Sequence, residues 1–480
     1  MKSYWTMGLS ILLLIAFAAI SVHALEIRGS VAGTVNGASN LDPADNSFTW
    51  GPQNFAGFDY DIDHDVGYET LTTTLTGDNK LSGDSPYGIV YEVSNRIKML
   101  SNAQPDMRYG KLSVSTIDSA TGTITLDNKD NAITLSKNRN IEIFPGIFIR
   151  TADNDMLRYY LYKNITKPGT YEIRGSVAGT VDGASNLDPA ENSFTWNPQN
   201  FAGFYYDIKK DLGTETLKTA LTEDNILSGD APYGITYITS TQAKAFERAL
   251  WGNYNVIGFL AEKYFAGYNQ GATEEDGSSI FYRESTDRNS LSSEQLEKIL
   301  IDEKSTMVVK KGESITLKEG YELILKGVNS EGQIYLELSK NGSVVDSKVV
   351  SPSKTDATEM DKTYYYKNPQ VGEQKNLVTI GVHFKNTYKD EEIAVATVDG
   401  IWQISDVPTE IQADTQYGKM TIMSIDANSG VITMGNKDNT IILTRKSDIE
   451  LMSGIHIRTA DNDTLRYYIY RTETVSKDSV

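Results

Sequence analysis

A ten-residue stretch, Glu26-Ile27-Arg28-Gly29-Ser30-Val31-Ala32-Gly33-Thr34-Val35, returns unchanged at residues 172–181, an offset of 146 (172 minus 26). The match continues without a gap from Asn46 to Ile89. A second match, Ile149-Arg150-Thr151-Ala152-Asp153-Asn154-Asp155, returns at residues 457–463, an offset of 308 (457 minus 149). The second copy therefore holds 162 residues (308 minus 146) that the first lacks. Repeats this long are duplicated domains, because solenoid units are only about 20–50 residues.

Alternation of apolar and polar residues predicts strands through most of the chain. Met420-Thr421-Ile422-Met423-Ser424-Ile425 alternates, Asp426-Ala427-Asn428-Ser429-Gly430 interrupts the pattern, and Val431-Ile432-Thr433-Met434 resumes it. This is the pattern of a strand, an Asx- and glycine-rich turn and a returning strand. Short strands joined by such turns are typical of antiparallel sandwiches. We therefore predict an all-β fold of tandem antiparallel β-sandwich domains, one carrying an inserted second β-rich domain.

The repeats also predict the domain boundaries. After a signal peptide at 1–24, we expect a first sandwich at 25–168 without the inserted domain, a second sandwich formed by 169–240 and 404–480, and an insert at 241–403. One or two short helices are expected in the insert. Gln242 to Trp251 is one candidate, and Ser292 with Gln295 has the spacing of a capping box before another.

The first residues have the pattern of an export signal. Lys2 is the only charge among residues 1–24, an apolar stretch runs from Met7 to Ile20, and Val22-His23-Ala24 places small residues where a signal peptidase cuts. Cleavage is expected after Ala24; the alternative is an uncleaved anchor. No later run approaches the roughly 18 apolar residues that span a bilayer. We therefore expect an exported protein, at the cell surface or extracellular, with no membrane-spanning segment after cleavage.

Charge and cysteine content exclude several classes of protein. The chain of 480 residues has 45 Lys+Arg, 64 Asp+Glu, a net charge of −19 and no cysteine. Nucleic acid is not an expected partner, because binding phosphates requires a basic face. The absence of cysteine excludes disulfide scaffolds, thiolate zinc sites and cysteine nucleophiles.

Several long motifs resemble the S-layer duplication-domain family, the surface-lattice proteins of methanogenic archaea. The resemblance covers nearly all of the mature chain. The motifs that carry it are Arg28 to Gly33, Asn46-Ser47-Phe48-Thr49-Trp50, Asn192 to Trp196, Ser353-Lys354-Thr355-Asp356-Ala357-Thr358, Ala396 to Asp406, and the two Arg-Thr-Ala-Asp-Asn-Asp segments.

The resemblance implies tandem modules of paired β-sandwich domains that tile into a porous sheet around the cell. The expected partners are further copies of the chain or related S-layer subunits. Two departures stand out: the first module lacks the inner domain, and the family's C-terminal stalk and membrane-spanning helix are not found. Retention at the cell is therefore expected to depend on lateral contacts or bound cations.

No residue pattern indicates catalysis or a cofactor. His64 and His456 correspond to Lys210 and Phe148 in the other copy, and exchange with Phe indicates packing. His383 has no such control, and no cluster of ligands stands near it in sequence. The chain has no Gly-x-Ser-x-Gly elbow. We predict that the protein is not an enzyme and has no catalytic, cofactor or metal site.

The sequence offers two weak candidates for ligand binding. Asp59, Asp61, Asp63 and Asp65 alternate, so on a strand they share one face, either as a solvated acidic surface, which we favour, or as a weak site for a divalent cation such as Ca²⁺. The glycine-rich start Gly29 to Gly33 and its repeat lack the ending of a phosphate loop and predict turns or bends.

Export makes Asn-x-Ser/Thr sequences possible glycosylation sites. The chain has three, at Asn164, Asn341 and Asn462. Asn154, the first-copy partner of Asn462, is followed by Asp155-Met156 and is not a sequon. A glycan at Asn462 would therefore be specific to the second copy.

The favoured function is a structural one: a subunit or minor component of an archaeal S-layer, acting as a protective sheath and charged molecular sieve. The alternative is a secreted adhesin or glycan-binding protein, for which Trp50, Trp196 and Trp402 are candidate stacking platforms if they are not core residues. A secreted hydrolase using paired carboxylates is permitted by the many acids, but no motif selects it.

Overall fold

The computed structural model describes residues 25–94, 103–270 and 280–476. The expected signal peptide and its cleavage site lie outside these residues. Within the described ranges the fold is all-β with antiparallel strand pairing, as predicted. No helix in these ranges is long and apolar enough to cross a membrane.

The first sandwich has strands on both sides of one core. Its sheets run in the orders β13-β14-β15-β1-β2 and β3-β6-β8-β11-β10-β9. The strands are β1 (Leu25–Val35), β2 (Ala38–Ser39), β3 (Ser47–Trp50), β4 (Tyr60–Asp61), β5 (Val66–Gly67), β6 (Glu69–Thr74), β7 (Lys80–Leu81), β8 (Gly88–Ser94), β9 (Arg108–Tyr109), β10 (Leu112–Asp118), β11 (Thr123–Asp127), β12 (Ile133–Thr134), β13 (Asn140–Phe144), β14 (Ile147–Thr151) and β15 (Arg158–Ile165).

The second sandwich begins with strands that repeat this order. They are β16 (Gly169–Arg174), β17 (Ala178–Val181), β18 (Ala184–Ser185), β19 (Ser193–Trp196), β20 (Thr216–Ala220), β21 (Ile226–Leu227) and β22 (Gly234–Ser240).

The insert follows, with a large sheet packed on a smaller one. Its strands are β23 (Gln242–Ala245), β24 (Asn253–Phe259), β25 (Glu262–Asn269), β26 (Gln295–Glu303), β27 (Met307–Lys310), β28 (Ser314–Thr316), β29 (Tyr321–Val328), β30 (Ile334–Lys340), β31 (Ser343–Val350), β32 (Thr363–Val371), β33 (Gln374–Lys389), β34 (Ala394–Ile404) and β35 (Thr409–Glu410). The large sheet runs β23-β24-β25-β26-β34-β33-β32, with β27 on β34 and β35 on β26, and the smaller runs β28-β29-β30-β31.

The chain then returns to the second sandwich and completes its sheets. The remaining strands are β36 (Gln416–Tyr417), β37 (Met420–Asp426), β38 (Val431–Gly435), β39 (Ile441–Ile442), β40 (Asp448–Met452), β41 (Ile455–Thr459) and β42 (Arg466–Val475). The sheet orders are β18-β17-β42-β41-β40, with β16 also on β42, and β19-β20-β22-β38-β37-β36. These orders match those of the first sandwich, except that β16 and β17 together take the place of β1.

The helices of the insert are not where the sequence predicted them. Gln242 to Trp251 begins as strand β23 and ends in a single 3₁₀ turn, Ala249–Trp251. At the predicted capping box, Asn289 caps a 3₁₀ turn, Ser290–Ser293, and Gln295 begins β26. The α-helices of the described ranges are α1 (Ile280–Glu284) and α2 (Glu359–Lys362). Pairing of the β23 backbone with β24 outweighs the high helix propensity of the Ala, Gln and Lys residues in this stretch.

The repeated tryptophans anchor equivalent cores. Trp50 and Trp196 are both fully buried, and their indole N–H groups donate to Ser30 O at 2.8 Å and Ser176 O at 2.7 Å. Trp402 is also fully buried, in the insert. A buried ring cannot stack on a glycan, so these residues are core residues and do not support the adhesin hypothesis.

The glycine-rich starts are bends inside strands, not phosphate loops. The register of β1 against β15 shifts between Arg28 and Val31, and Gly33 has a φ of +103°. A Cβ on Gly33 would lie 2.2 Å from the carbonyl oxygen of Leu157, and the repeat Gly179 has φ +105° and the same 2.2 Å approach to Leu465 O. Only glycine fits where backbone approaches backbone this closely.

The insert shares a continuous apolar core with the second sandwich. Ile257, Phe259 and Tyr264 of the insert belong to the same buried cluster as Trp196 and Tyr237 of the sandwich. The far half of the insert has its own core around Leu323, Leu336 and Phe384. The 241–403 boundary stays a prediction, since strand β35 lies beyond residue 403 and pairs with β26.

Candidate functional site

The two sandwiches dock through buried arginines that reach across their contact. Arg158 of the first sandwich is 1% exposed, and its Nη2 donates to Ile208 O of the second at 3.1 Å. Arg466, its repeat partner, donates from Nε to Ile62 O and from Nη2 to Asp63 O, both at 2.9 Å. Each arginine thus binds the backbone of the other copy.

A second pair of arginines makes reciprocal contacts with aromatic rings of the opposite copy. The Arg28 guanidinium lies 5.2 Å from the ring centre of Tyr206 in the other copy, and Arg174 lies 5.2 Å from that of Tyr60. Burial lowers the pKa of both arginines, and the adjacent tyrosines oppose that shift. Cation–π contacts of this kind gain strength when they are desolvated.

Backbone hydrogen bonds between the two copies are reciprocal as well. Val31 N donates to Gln199 O at 2.8 Å, and its repeat Val177 N donates to Gln53 O at 2.9 Å. These are reciprocal contacts, as in a two-fold symmetric dimer, where residue i meets j and j meets i. The two copies therefore form an internal dimer within one polypeptide.

Apolar side chains close the interface around these polar contacts. One cluster joins Tyr160 and Tyr162 of the first sandwich to Ile208 of the second. The equivalent cluster joins Tyr468 and Tyr470 to the half-buried Ile62. Burial of apolar surface on both sides of the dyad makes the joint between the sandwiches stiff.

The prediction that Asp59, Asp61, Asp63 and Asp65 share one face of a strand is wrong. Residues 62–65 form the turn between β4 and β5, with Asp65 at φ +56°, so the four carboxylates do not share a strand face. Asp63 Oδ1 accepts from Asp461 N at 2.6 Å, and Asp65 Oδ2 accepts from Asp182 N at 2.7 Å. These carboxylates bind the second sandwich. No group of three or more His and acidic residues in the described ranges could hold a metal, and weak cation binding elsewhere stays a prediction.

His383 lies in a buried charge cluster that the sequence did not reveal. The side chain is 2% exposed, its Nδ1 is hydrogen-bonded to Asp399, and its Nε2 lies 2.9 Å from Nη2 of Arg248. Arg248 also pairs with Glu359 at 2.9 Å. Burial lowers the pKa of His383, and Arg248 adds to the shift against Asp399 and Glu359. The Arg248 guanidinium contacts His383 of β33, Asp399 of β34 and Glu359 of helix α2, and so links these three elements of the insert.

The other two histidines of the described ranges lie in a packed position and an exposed one, respectively. The ring of His456 lies 5.1 Å from that of Tyr470, and Phe148 lies 5.1 Å from Tyr162 in the first copy. His64 is on the surface, with Nδ1 2.7 Å from Asp61. The packing interpretation of His456 agrees with the structure.

The three sequons lie in different environments. Asn164 is exposed on β15, and Asn341 is exposed in the turn between β30 and β31 with φ +50°. Asn462 is half-buried at the interface, where its Nδ2 donates to Asp63 O at 3.0 Å. Glycosylation itself stays a prediction at all three, but at Asn462 it would require the loss of this hydrogen bond.

The comparisons with known proteins agree with this architecture. The S-layer protein family profile matches residues 186–461. The chain belongs to the S-layer protein family. Its relatives include the major S-layer proteins of Methanosarcina mazei and Methanosarcina acetivorans, each 30% identical over 78% of this chain and 51% of the relative. The major S-layer protein of Methanosarcina barkeri is 28% identical over 76% of this chain and 49% of the relative. This S-layer family chain thus spans about half the length of these relatives.

Sequence reasoning missed the interface, although the repeat contains a signal for it. Tyr60, Asp61, Ile62 and Asp65 are unchanged in the second copy, whereas Asp63 and His64 are replaced by Lys209 and Lys210. Residues that stay unchanged in a polar loop while adjacent residues diverge indicate that a partner constrains them. In this S-layer family chain the partner is the other copy.

Proposed function

We propose that the chain is a non-enzymatic, lattice-forming component of an S-layer, in which the two sandwiches act as one rigid tile. The observation that carries this proposal is the reciprocal interface between the copies. A sheet that bears load requires subunits of fixed shape, and an interface closed by buried arginines and apolar side chains supplies it.

The acidic surface supports the sieve function. With a net charge of −19, carboxylates around gaps in a lattice repel polyanions and attract cations. The effect extends over about 8–10 Å at physiological salt. The proposed partners are further copies of the chain or related S-layer subunits.

Electron microscopy of the purified protein tests the proposal. Ordered two-dimensional sheets are expected from the wild type, and disordered aggregates or monomers from a variant with both Arg158→Met and Arg466→Met. Lys80→Ala is the matched control, since Lys80 is exposed and its ion-pair partner, Asp78, lies in the same sandwich. Monodisperse particles under all conditions, with or without a related S-layer subunit, would contradict a lattice function.

A further inference from the structure

A basic cleft lies where the first sandwich, the second sandwich and the insert meet. It encloses about 500 Å³, a volume typical of small-molecule sites. The cationic residues that line it are Arg139, Arg150, Lys209, Lys244 and Lys263, and the acidic one is Asp207. Such a concentration of positive charge is unexpected on a chain of net charge −19.

Some of these charges are neutralised by neighbouring carboxylates. Arg150 pairs with Glu26 at 2.8 Å, and Lys244 Nζ lies 3.5 Å from Asp302. In the described part of the chain, no ion pair involves Arg139, Lys209 or Lys263. These three come from the first sandwich, the second sandwich and the insert, respectively.

Lys263 is the most constrained of the three. It is half-buried, and its Nζ lies 5.8 Å from the ring centre of Tyr205. Burial lowers its pKa to about 8, and Lys244 adds to the shift while Asp302, Asp207 and Glu247 oppose it. An anion bound nearby would relieve this cost by favouring the charged ammonium.

The duplicated chain supplies its own control for the cleft. At the two-fold-related position the framework is unchanged: Arg458, Thr459 and Tyr468 replace Arg150, Thr151 and Tyr160, and Tyr60, Asp61 and Ile62 replace Tyr206, Asp207 and Ile208. These are interface residues, which explains why both copies keep them.

The residues at the rim of the cleft differ in charge from their counterparts at the two-fold-related position. Arg139, Tyr205 and Lys209 of the cleft correspond to Ser447, Asp59 and Asp63, and Asn140 corresponds to Asp448. The charge difference is reversed at one position, where the neutral Asn138 of the cleft corresponds to Lys446. Lys244 and Lys263 have no counterpart, because the insert provides them. The interface alone does not require a basic rim, since the other copy forms the same interface with an acidic one.

We propose that this cleft binds a small polyvalent anion, with carboxylate, phosphate or sulfate groups, between Arg139, Lys209 and Lys263. The arginine guanidinium supplies paired donors that match an oxyanion, and the two lysines act as point charges. Because each cation belongs to a different part of the chain, the bound anion would cross-link the three parts. Binding should therefore raise the melting temperature.

Isothermal titration calorimetry and thermal unfolding, at constant ionic strength, test the proposal with citrate, inorganic phosphate and sulfate. The test variant carries Arg139→Ser and Lys209→Asp, which copy Ser447 and Asp63. These residues are exposed and the other copy already has the replacements, so folding should be preserved. The matched control is Lys446→Asn, which removes a cation at the two-fold-related position and copies Asn138.

We expect at least one probe to bind the wild type and Lys446→Asn with equal affinity, and the double variant to bind it about tenfold more weakly or not at all. Three results would overturn the proposal: no probe binds the wild type at 10 mM; the double variant binds like the wild type; or Lys446→Asn weakens binding as much as the double variant does. Binding of a polyanionic polymer without binding of any small probe would also overturn it.

Discussion

Arg158 and Arg466 occupy equivalent positions in the two copies, and each donates side-chain hydrogen bonds to backbone carbonyls of the opposite copy. The duplication has therefore placed a two-fold interface inside one polypeptide. The linker between the copies is short, so the effective concentration of one copy near the other is high. The interface between the two copies is buried within the chain, so contacts with other subunits must use other faces.

Removing either arginine should weaken the joint. Arg158→Met leaves a buried carbonyl without a donor and Arg466→Met leaves partly buried ones, at a cost of up to about 1–3 kcal/mol each. We expect a lower midpoint in urea unfolding for both variants. The control, Lys80→Ala, removes an exposed pair with Asp78 within the first sandwich and should change stability by less than about 1 kcal/mol. Equal midpoints for all three variants would contradict a stabilising function of the dyad arginines.

The bends at Gly33 and Gly179 should tolerate no side chain. Alanine at either position adds a Cβ 2.2 Å from a carbonyl oxygen, on top of the roughly 1–2 kcal/mol of a left-handed conformation. Gly37→Ala and Gly183→Ala are matched controls, because those glycines have φ near +80° and no atom within 4 Å of the added Cβ. Thermal unfolding should show a clearly larger loss for Gly33→Ala than for Gly37→Ala. Similar losses would mean that the backbone moves apart at low cost.

Two buried carboxyls should make stability depend on pH. Burial raises the pKa of Glu215 and of Glu297 to about 7. Between the unfolded value near 4.5 and about 7, the folded state binds more protons than the unfolded state. Each group therefore contributes stability at acidic pH that is lost as the pH rises toward 7, by about 1.4 kcal/mol per unit. His383, with its lowered pKa, acts with the opposite sign, its contribution being lost as the pH falls below about 6.5.

The variant Glu297→Gln isolates the contribution of Glu297 to the pH dependence of stability. Glu297 accepts from Ser290 and Gln295, both at 2.6 Å, and from Gln374 at 2.7 Å, so the amide loses a hydrogen bond and the variant should be less stable overall. The difference in unfolding free energy between wild type and variant should shrink as the pH rises from 5 to 7. A difference that stays constant over this range would show that Glu297 is ionised throughout.

The repeats predicted the duplication and the packing of His456, because each copy tests the other, and the alternation of apolar and polar residues predicted the all-β fold. Local patterns were less informative. The alternating acids at Asp59–Asp65 resemble a strand, but Asx residues also favour turns, and the positive φ of Asp65 belongs to one. The charge cluster at His383 could not be predicted, since Arg248 is 135 residues away and only the fold brings it near.

Use of the sequons should follow their exposure. Asn341 is exposed in a hairpin turn, and Asn164 is exposed on a strand, so glycans there meet no neighbouring backbone. At Asn462 a glycan would replace the hydrogen bond to Asp63 O. We expect glycopeptide mass spectrometry of the native protein to find modification at Asn341 or Asn164 and an unmodified Asn462. A fully occupied Asn462 would mean that modification precedes docking of the two sandwiches.

Excision of the insert should change the second sandwich in a way that the first sandwich predicts. Glu215 is fully buried, and its carboxylate accepts from Ala261 N of the insert at 2.8 Å, whereas its repeat partner Glu69 is half-buried in a sandwich without an insert. Replacing residues 241–411 by the first copy's connector, 95–103, should therefore expose Glu215, return its pKa toward the ordinary value and abolish its share of the pH dependence. Stability should also fall, because the loss of Phe259 alone removes about 1.5–3 kcal/mol of apolar burial. Unfolding curves at pH 5 and pH 7, with Glu215→Gln as the control in both backgrounds, check the expectation. If Glu215→Gln has the same pH-dependent effect with and without the insert, the insert does not bury this carboxyl and the shared core is not what links the two domains.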